Sequence, residues 1–344
     1  MIFFGKDNVA FRTFVIVFWV QFIVLEKSSH KAGFAQQIYN NHLVYCTVFS
    51  AVIQPLIQEL KSALLSDKKV RVLVQREDLI HVHVAGNKWR KLKYNLLEAK
   101  MKGYSKVLTF GGAFSNHIVA TAAAALEMNM QCIGVIRGEE YLPLNPTLMQ
   151  AKKYGMNFQY IDRVTYREKS KIDWSEYYPY YYVIPEGGTN TLAIKGCEEI
   201  IQNHDFDTVC CACGTGGTLA GIINSLKVHQ KAIGFPVLKG GDFLRNDIHQ
   251  YVKNSNWKLC LDYHFGGYAK LDKDLIDFMN DFNKTQGIPL DPVYTGKLFF
   301  GVFDLIAKGY FREGSALLLI HTGGLQAIAG VNQKIEKKNW YIDY

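Results

Sequence analysis

Two hydrophobic patterns alternate along the chain from about residue 70. Short apolar runs rich in β-branched residues predict buried strands, and apolar residues spaced every three or four positions predict amphipathic helices. The predicted strands lie at residues 70–74, 106–110, 132–136, 181–184, 208–213 and 316–321. The predicted helices lie at residues 89–101, 115–128, 192–203, 218–228, 271–282 and 297–308. Strands that alternate with helices indicate an α/β fold with a mostly parallel sheet buried on both faces.

Glycine-rich turns follow four of the predicted strands, at residues 111–112, 187–188, 214–217 and 323–324. In open α/β sheets, ligands bind at the carboxyl ends of the strands. The four turns are therefore expected to converge on one site.

The first 48 residues precede this pattern. Residues 14–25 are apolar except for Gln21, but this run is shorter than the ~20 residues that a membrane-spanning helix needs. Gly33 and Ala35 would suit a signal-peptide cleavage site, although the polar residues 26–31 separate them from the apolar run. A signal peptide, a membrane anchor and an extension outside the fold are all compatible with this segment. We favour the extension and expect no stable membrane association.

The composition is that of a folded globular protein. Of 344 residues, 49% are hydrophobic and 20% are charged, which excludes a disordered or fibrous protein. The length leaves room for two domains. The formal net charge is +8, but the basic residues are scattered. We therefore expect no nucleic-acid partner and at most an anionic small-molecule group as ligand.

The cysteines and histidines predict no metal site. Seven cysteines without an even-spaced framework indicate a reducing compartment, which we expect to be the cytoplasm. Cys210 and Cys213 have the C-x-x-C spacing, but a structural zinc site would need a second such pair. We interpret them as buried thiols. His81 and His83 lack a third ligand nearby and are interpreted as a pair in a loop.

Residues 213–218, with the sequence Cys-Gly-Thr-Gly-Gly-Thr, lie between an apolar strand and a helix. Backbone N–H groups, threonine hydroxyls and a helix N-terminus together form a cradle for an anion. The dinucleotide fingerprint fails because its last glycine position is Leu219, and the P-loop fails because no Lys-Ser or Lys-Thr follows. A single phosphate is the predicted ligand, and a tight turn without a ligand is the alternative.

Lys88 lies in a glycine-led turn just before an amphipathic helix. A lysine that forms a Schiff base must lose its proton, and the neighbouring cations Arg90 and Lys91 are expected to lower its pKa. A solvated basic helix start is the alternative. It is disfavoured because basic residues there oppose the helix dipole.

Ser115, Asn116 and His117 begin another helix, after Gly111 and Gly112. Ser115 or Asn116 alone could be an ordinary N-cap. Three consecutive polar side chains are also well placed to hold a carboxylate.

Five motifs occur in a fixed order: Gly-Asn-Lys-x-Arg-Lys-Leu, Gly-Gly-x-x-Ser-Asn-His, Gly-Thr-Gly-Gly-Thr, Asp-Pro-Val-Tyr-Thr-Gly-Lys and His-Thr-Gly-Gly. From about residue 50 to about 330, the chain resembles the pyridoxal-phosphate enzymes of the 1-aminocyclopropane-1-carboxylate deaminase and D-cysteine desulfhydrase family. The resemblance implies the tryptophan synthase β-like fold (fold type II), with two domains of open, twisted, parallel sheets covered by helices on both faces. Residues 49–90 with 186–344 would form the larger, cofactor-binding domain, residues 91–185 the smaller α/β domain, and residues 1–48 would lie outside. We expect a homodimer.

The resemblance also implies a set of residues that hold pyridoxal 5'-phosphate. Lys88 matches the lysine that binds the cofactor covalently and later moves protons at the α-carbon of the substrate. Asn116 matches the asparagine that faces the ring hydroxyl, and Lys91 is a further phosphate contact. The implied cofactor residues are Lys88, Lys91, Asn116, Gly214, Thr215, Gly216, Gly217, Thr218, Thr295 and Thr322.

A small amino acid is the implied substrate. Ser115 matches the serine beside it, and Asn116 and His117 are expected to help hold its carboxylate. Tyr268 and Tyr294 match two tyrosines that line the substrate pocket. With Lys88, the residues Ser115, Tyr268 and Tyr294 form the expected catalytic set.

Two positions distinguish activities within this family. Thr295 and Thr322 stand where the ring-opening deaminases carry Glu and Leu. A carboxylate near the pyridine nitrogen strengthens the electron sink, and a hydroxyl does so far less. The resemblance therefore favours a lyase that converts D-cysteine to pyruvate, hydrogen sulfide and ammonia. The alternatives are a 1-aminocyclopropane-1-carboxylate deaminase, and a protein that binds the cofactor without turnover.

Overall fold

The computed structural model describes residues 54–84, 86–201 and 205–344; the predicted extension and its apolar run lie outside these residues. The described strands are β1 (Leu56–Glu59), β2 (Arg71–Arg76), β3 (Lys106–Gly111), β4 (Gln131–Arg137), β5 (Met156–Ile161), β6 (Tyr182–Ile184), β7 (Thr208–Cys213), β8 (Lys231–Pro236), β9 (Trp257–Leu259) and β10 (Ala316–Ile320). The described α-helices are α1 (Ala63–Asp67), α2 (Asn87–Met101), α3 (Asn116–Glu127), α4 (Pro146–Lys153), α5 (Arg163–Arg167), α6 (Trp174–Tyr177), α7 (Thr191–Cys197), α8 (Gly217–Asn224), α9 (Leu244–His249), α10 (Lys273–Gln286), α11 (Thr295–Ala307) and α12 (Ile328–Ile335). No helix in this part of the chain is both long and apolar enough to cross a membrane.

The strands form two sheets. The larger sheet has the order β1-β2-β10-β7-β8-β9, and its strands are parallel except for β1, which pairs with β2 in antiparallel fashion. The smaller sheet has the order β5-β4-β3-β6 and is parallel throughout. The predicted α/β class with mostly parallel sheets is confirmed.

Strands of the smaller sheet all fall between residues 106 and 184, and the larger sheet takes its strands from either side of this segment. Helix α2 runs across the predicted domain limit at residue 90. The limits of the two domains stay a prediction.

Strand β7 lies inside the larger sheet and is buried along its whole length. Its side chains alternate between two apolar layers: Cys210 packs into the layer on one face, and Cys211 and Cys213 into the layer on the other. Burial raises the pKa of Cys213 to about 12, so this thiol is protonated at neutral pH. The C-x-x-C pair consists of buried thiols, as predicted. His81 and His83 lie in a bend between β2 and α2, as predicted.

Helix α7 packs very closely between helices α2 and α8. A Cβ atom at Gly196 of α7 would lie 1.9 Å from the backbone oxygen of Arg90 in α2. A Cβ atom at Gly221 of α8 would lie 2.4 Å from the Cβ atom of Cys197 in α7. Helix α2 also carries Lys88 and Lys91. The close packing at these two glycines therefore helps to position both lysines.

We predict that Gly196→Ala lowers the free energy of unfolding by about 3 kcal/mol, because the added methyl group overlaps a backbone oxygen that cannot rotate away. Thr191→Ala, an exposed position of the same helix, should change it by about 0.5 kcal/mol or less. Urea unfolding followed by circular dichroism measures both values. Equal effects of the two substitutions would contradict the close packing of α7 on α2.

Candidate active site

A cavity of about 470 Å³ lies at the carboxyl ends of strands from both sheets. All four predicted glycine-rich turns contribute to its lining, through Gly112, Gly187, Gly214, Gly216, Gly323 and Gly324. The expected convergence of these turns is confirmed. The predicted residues in the lining are Lys88, Lys91, Ser115, Asn116, His117, Gly214, Thr215, Gly216, Thr218, Tyr268, Tyr294 and Thr322. The lining does not include Gly217 or Thr295. Gly217 directly follows Gly216, which does line the cavity.

The position of Lys88 depends on a backbone contact between two of the motifs. Gly86 has φ +69° and a Cβ atom there would lie 1.9 Å from the backbone oxygen of Thr322. The same oxygen accepts a hydrogen bond from the backbone N–H of Asn87 at 3.3 Å. Only glycine permits this approach, which sets the first residues of α2 against the end of β10.

The amine of Lys88 is adapted to lose its proton. Burial and, secondly, the ammonium group of Lys91 lower the pKa of Lys88 to about 7. The predicted effect of Arg90 has a different outcome: its guanidinium forms a buried ion pair with Glu77 at 3.0 Å and lies 3.6 Å from Glu199. Arg90 is thus neutralised by carboxylates, and Lys91 is the neighbouring cation that acts on Lys88.

Lys91 joins helix α2 to the predicted phosphate loop. Its Nζ atom donates to the backbone oxygen of Gly187 at 3.0 Å, to Oγ1 of Thr189 at 3.0 Å and to Oγ1 of Thr215 at 3.3 Å. A Cβ atom at Gly217 would lie 3.2 Å from the same Nζ atom. None of the described carboxylates forms a salt bridge with Lys91, so this buried amine and the loop around it suit a bound anion.

Ser115 and Asn116 begin helix α3 with polar groups that the protein itself does not use. Ser115 occupies the N-cap position, yet its side chain makes no capping hydrogen bond. The Oδ1 atom of Asn116 is buried and has no hydrogen-bond partner in the described structure. Buried polar atoms are normally paired. Ser115 therefore does not act as an ordinary N-cap. The side chains of Ser115 and Asn116 are available to a ligand.

His117 lines the cavity, but its ring has no proton to donate there. Oγ1 of Thr109 donates to the backbone oxygen of Ile184 at 3.0 Å and so accepts from Nε2 of His117, which lies 2.8 Å away. Burial, with Lys88 and Lys91 nearby, lowers the pKa of His117 well below its usual value. The ring is neutral, and its Nδ1 atom is an acceptor without a partner in the described residues. A carboxylate needs donors, so His117 can serve it only through the backbone N–H.

Tyr268 and Tyr294 lie together on the cavity wall, with ring centroids 6.2 Å apart. Burial is the main cause that raises the pKa of both, so both hydroxyls keep their protons at neutral pH. Tyr294 also touches the phosphate loop, because a Cβ atom at Gly214 would lie 3.1 Å from its ring.

Lys297 supports the loop that carries Tyr268, a role that sequence reasoning missed. Its Nζ atom donates to the backbone oxygens of His264 at 2.9 Å and Gly267 at 2.7 Å. Its place in the Asp-Pro-Val-Tyr-Thr-Gly-Lys motif could have indicated this role, because Lys297 lies three residues after Tyr294 at the start of the same helix.

Thr295 lies outside the cavity lining, so this structure gives no support to its predicted contact with the cofactor. It is completely buried, and its hydroxyl donates to Oδ2 of Asp291 at 2.9 Å instead of facing the cavity. The Asp291 carboxylate also accepts the backbone N–H groups of Val293, Tyr294 and Thr295. It therefore caps the start of α11, and Thr295 belongs to that cap. Of the two threonines singled out in the sequence, Thr322 is the one that lines the cavity.

Of the charged lining residues that were not predicted, two lie at the ends of strands of the smaller sheet. Arg137 is the last residue of β4, and Glu186 follows β6. Neither lies in one of the five motifs. Their positions at the carboxyl ends of two predicted strands were the available signal.

The chain is similar to known proteins over most of its length. A family model described as "Pyridoxal-phosphate dependent enzyme" matches residues 54–323. A Pyrococcus furiosus protein with the provisional name of a 1-aminocyclopropane-1-carboxylate deaminase is 32% identical over 291 residues, which cover 77% of this chain and 88% of that protein. The "Bifunctional D-cysteine desulfhydrase/1-aminocyclopropane-1-carboxylate deaminase, mitochondrial" of Arabidopsis thaliana is 30% identical over 303 residues, covering 77% and 74%.

A solved structure, "Crystal Structure Analysis of the ACC deaminase homologue", superposes with a TM-score of 0.70 at 27% identity, covering 85% of this chain and 98% of that one. The fold is accordingly the tryptophan synthase β-like fold, as the resemblance implied.

We predict that the reactivity of Lys88 in cofactor-free protein rises with pH around a midpoint of about 7. Below this pH the amine is protonated and not nucleophilic, and above it the amine is neutral. Reductive methylation followed by peptide mass spectrometry measures this, with the peptide of the exposed Lys61 as the internal reference for the reagent. A midpoint for Lys88 that coincides with that of Lys61 would contradict the environment described here.

We predict that Gly86→Ala weakens cofactor binding at least tenfold, or about 1.4 kcal/mol, because the methyl group would displace Thr322 and the start of α2. Gly103→Ala is the matched control: Gly103 has φ +81°, and a Cβ atom there meets nothing within 4 Å. It carries the backbone strain of about 1–2 kcal/mol without the collision. Equilibrium dialysis against pyridoxal phosphate gives the affinities. Equal affinities of the two variants would rule out the contact as the determinant of the site.

Proposed function

Because this chain belongs to the pyridoxal-phosphate-dependent enzymes, we propose that it is a lyase that acts on a small amino acid, with D-cysteine as the first candidate. One observation carries the proposal. A lysine whose pKa is lowered to about 7 lies in a cavity between a loop suited to phosphate and a helix start with unused polar groups. The relatives' names support a lyase or a deaminase, and they do not support a hydrolase.

The residues present fit the cofactor. The loop at residues 214–218 and the Lys91 ammonium suit its phosphate, since none of the described carboxylates pairs with Lys91. The unpartnered Oδ1 atom of Asn116 suits its ring hydroxyl, which can donate a hydrogen bond. When bound, pyridoxal phosphate supplies an electron sink that stabilises negative charge at the α-carbon of an amino acid.

Lys88 has two tasks in this proposal: it holds the cofactor, and it then takes the proton from the α-carbon of the bound substrate. A base with a pKa near 7 is well matched to this transfer at neutral pH. Ser115 and the first backbone N–H groups of α3 bind the substrate carboxylate and orient the α-carbon. For D-cysteine, the carbon–sulfur bond then breaks and the thiolate leaves with the electron pair. Hydrolysis of the remaining unsaturated product gives pyruvate and ammonia.

Tyr268 and Tyr294 are proposed to protonate or hold the leaving group. Both keep their protons at neutral pH, and Tyr268 is 42% exposed, so it contacts both the cavity and solvent.

Ring opening of 1-aminocyclopropane-1-carboxylate is the second candidate, because the names of both relatives include it. Thr322 supports the first candidate, because the resemblance places a leucine there in the ring-opening deaminases. Thr295 supports neither, since it lies in the cap of α11.

We further propose a homodimer in a reducing compartment such as the cytoplasm, without nucleic-acid partners. The free state of the six cysteines in the described part of the chain supports the compartment.

Purified holoenzyme is expected to release pyruvate from D-cysteine and no more than a trace of 2-oxobutyrate from 1-aminocyclopropane-1-carboxylate. Lys88→Ala should lower the rate by about 1,000-fold or more, since both tasks of Lys88 are lost. Lys102→Ala, an exposed residue just after α2, is the control and should keep the wild-type rate. Rapid ring opening with D-cysteine inert would favour the deaminase, and activity that survives Lys88→Ala would exclude both candidates.

A further inference from the structure

Arg137 presents a guanidinium group to the cavity from the smaller sheet. It is the last residue of β4, and its Nη2 atom lies 3.6 Å from where a Cβ atom on Gly112 would stand. The guanidinium carbon lies 5.8 Å from the ring centroid of Tyr166. Because Gly112 has no side chain, it does not cover the guanidinium. Gly112 also belongs to the turn that leads to Ser115. Arg137 thus lies beside the proposed substrate site.

The described carboxylates leave Arg137 unpaired. Glu186 lines the same cavity, but it accepts the ammonium of Lys169 at 2.8 Å and the hydroxyl of Tyr166 at 2.8 Å. Asp247, the other acidic residue of the lining, forms no salt bridge with Arg137. Lys91 is committed to the phosphate loop in our proposal. Arg137 is therefore an exposed positive charge in the cavity lining, and none of the described carboxylates forms a salt bridge with it.

The α-carboxylate of a substrate already has other donors. The first N–H groups of the twelve-residue helix α3 and the free hydroxyl of Ser115 suit it. A planar guanidinium binds a second acidic group well, because its forked N–H groups match the oxygens of a carboxylate, sulfonate or phosphate. Arg137 and the tyrosine pair all line the cavity, so both are placed to contact such a group.

We propose, resting on the proposed lyase function, that Arg137 binds a second acidic group on the β-substituent of the substrate. The preferred substrates are then amino acids whose β-substituent already carries a negative charge before it leaves. In the reaction, the α-proton goes to Lys88, the bond from the β-carbon to the substituent breaks, and sulfite or inorganic phosphate leaves with the electron pair. One water molecule then hydrolyses the three-carbon product to pyruvate and ammonia, so no oxidant or reductant is needed.

The test compares substrates with an anionic and with a neutral β-substituent on the holoenzyme. The probes are the D and L forms of cysteate and O-phosphoserine, with 3-chloroalanine as the neutral reference, and all of them give pyruvate on elimination. The wild type should prefer an anionic probe. Arg137→Gln should lower kcat/KM for that probe by about 10- to 100-fold, mainly through KM, and change 3-chloroalanine by less than about threefold. Arg137→Lys should retain part of the preference.

Arg312→Gln is the matched control. It removes the same charge from an exposed position just before β10, at the end of the strand opposite to the cavity, and should leave all rates unchanged. Equal losses on anionic and neutral probes would place Arg137 at the α-carboxylate and overturn the proposal, as would no effect of Arg137→Gln on any probe. Turnover of 3-chloroalanine without turnover of anionic probes would overturn it and leave the lyase function intact.

A binding measurement separates failure of this proposal from failure of the lyase function. Calorimetric titration of the holoenzyme with aspartate and with alanine compares an acidic with a neutral side chain and requires no elimination. We expect aspartate to bind at least about tenfold more tightly than alanine, and Arg137→Gln to abolish the difference. If no probe yields pyruvate, the lyase function fails, and a wild type that binds both ligands equally shows that Arg137 does not select acidic groups.

Discussion

The backbone contact between Gly86 and Thr322 is the constraint on which the site depends. These residues are 236 positions apart, yet a single added carbon at Gly86 would overlap the Thr322 oxygen. The contact sets the first turn of α2 at the end of β10, where the phosphate loop after β7 is the next neighbour. Lys88 therefore enters the cavity from a position defined by main-chain atoms, which do not rearrange as side chains do.

The electrostatics of the cavity follow from this placement. Lys88 and Lys91 are brought together in the cavity lining, and the described carboxylates form no salt bridge with either of them. Burial and mutual repulsion favour the neutral form of Lys88, while Lys91 keeps its proton donors directed at the loop. A phosphate dianion beside Lys91 would offset the unpaired charge. Arg137 also has no salt-bridge partner among the described carboxylates, and we propose that an acidic group of the substrate provides one.

Patterns within one element were sufficient to predict the α/β class, the glycine-rich turns and the lysine. Strands β1, β5, β8 and β9 were not predicted. Strands β1 and β9 have only four and three residues, β5 is a half-exposed edge strand, and β8 contains Gly234 and ends at Pro236. The orientation of Thr295 could not be predicted for a different reason. It depends on Asp291, which caps α11. The motif alone does not reveal whether the hydroxyl of Tyr294 or that of Thr295 faces the cavity. The tautomer of His117 likewise depends on a neighbour from another strand.

The proposed function requires that Lys88 holds the cofactor, and borohydride reduction of the holoenzyme tests this requirement directly. We expect peptide mass spectrometry to find the reduced cofactor on Lys88, with Lys91 and Lys297 unmodified. Cofactor on Lys91 or Lys297, or noncovalent binding without any modified lysine, would contradict it.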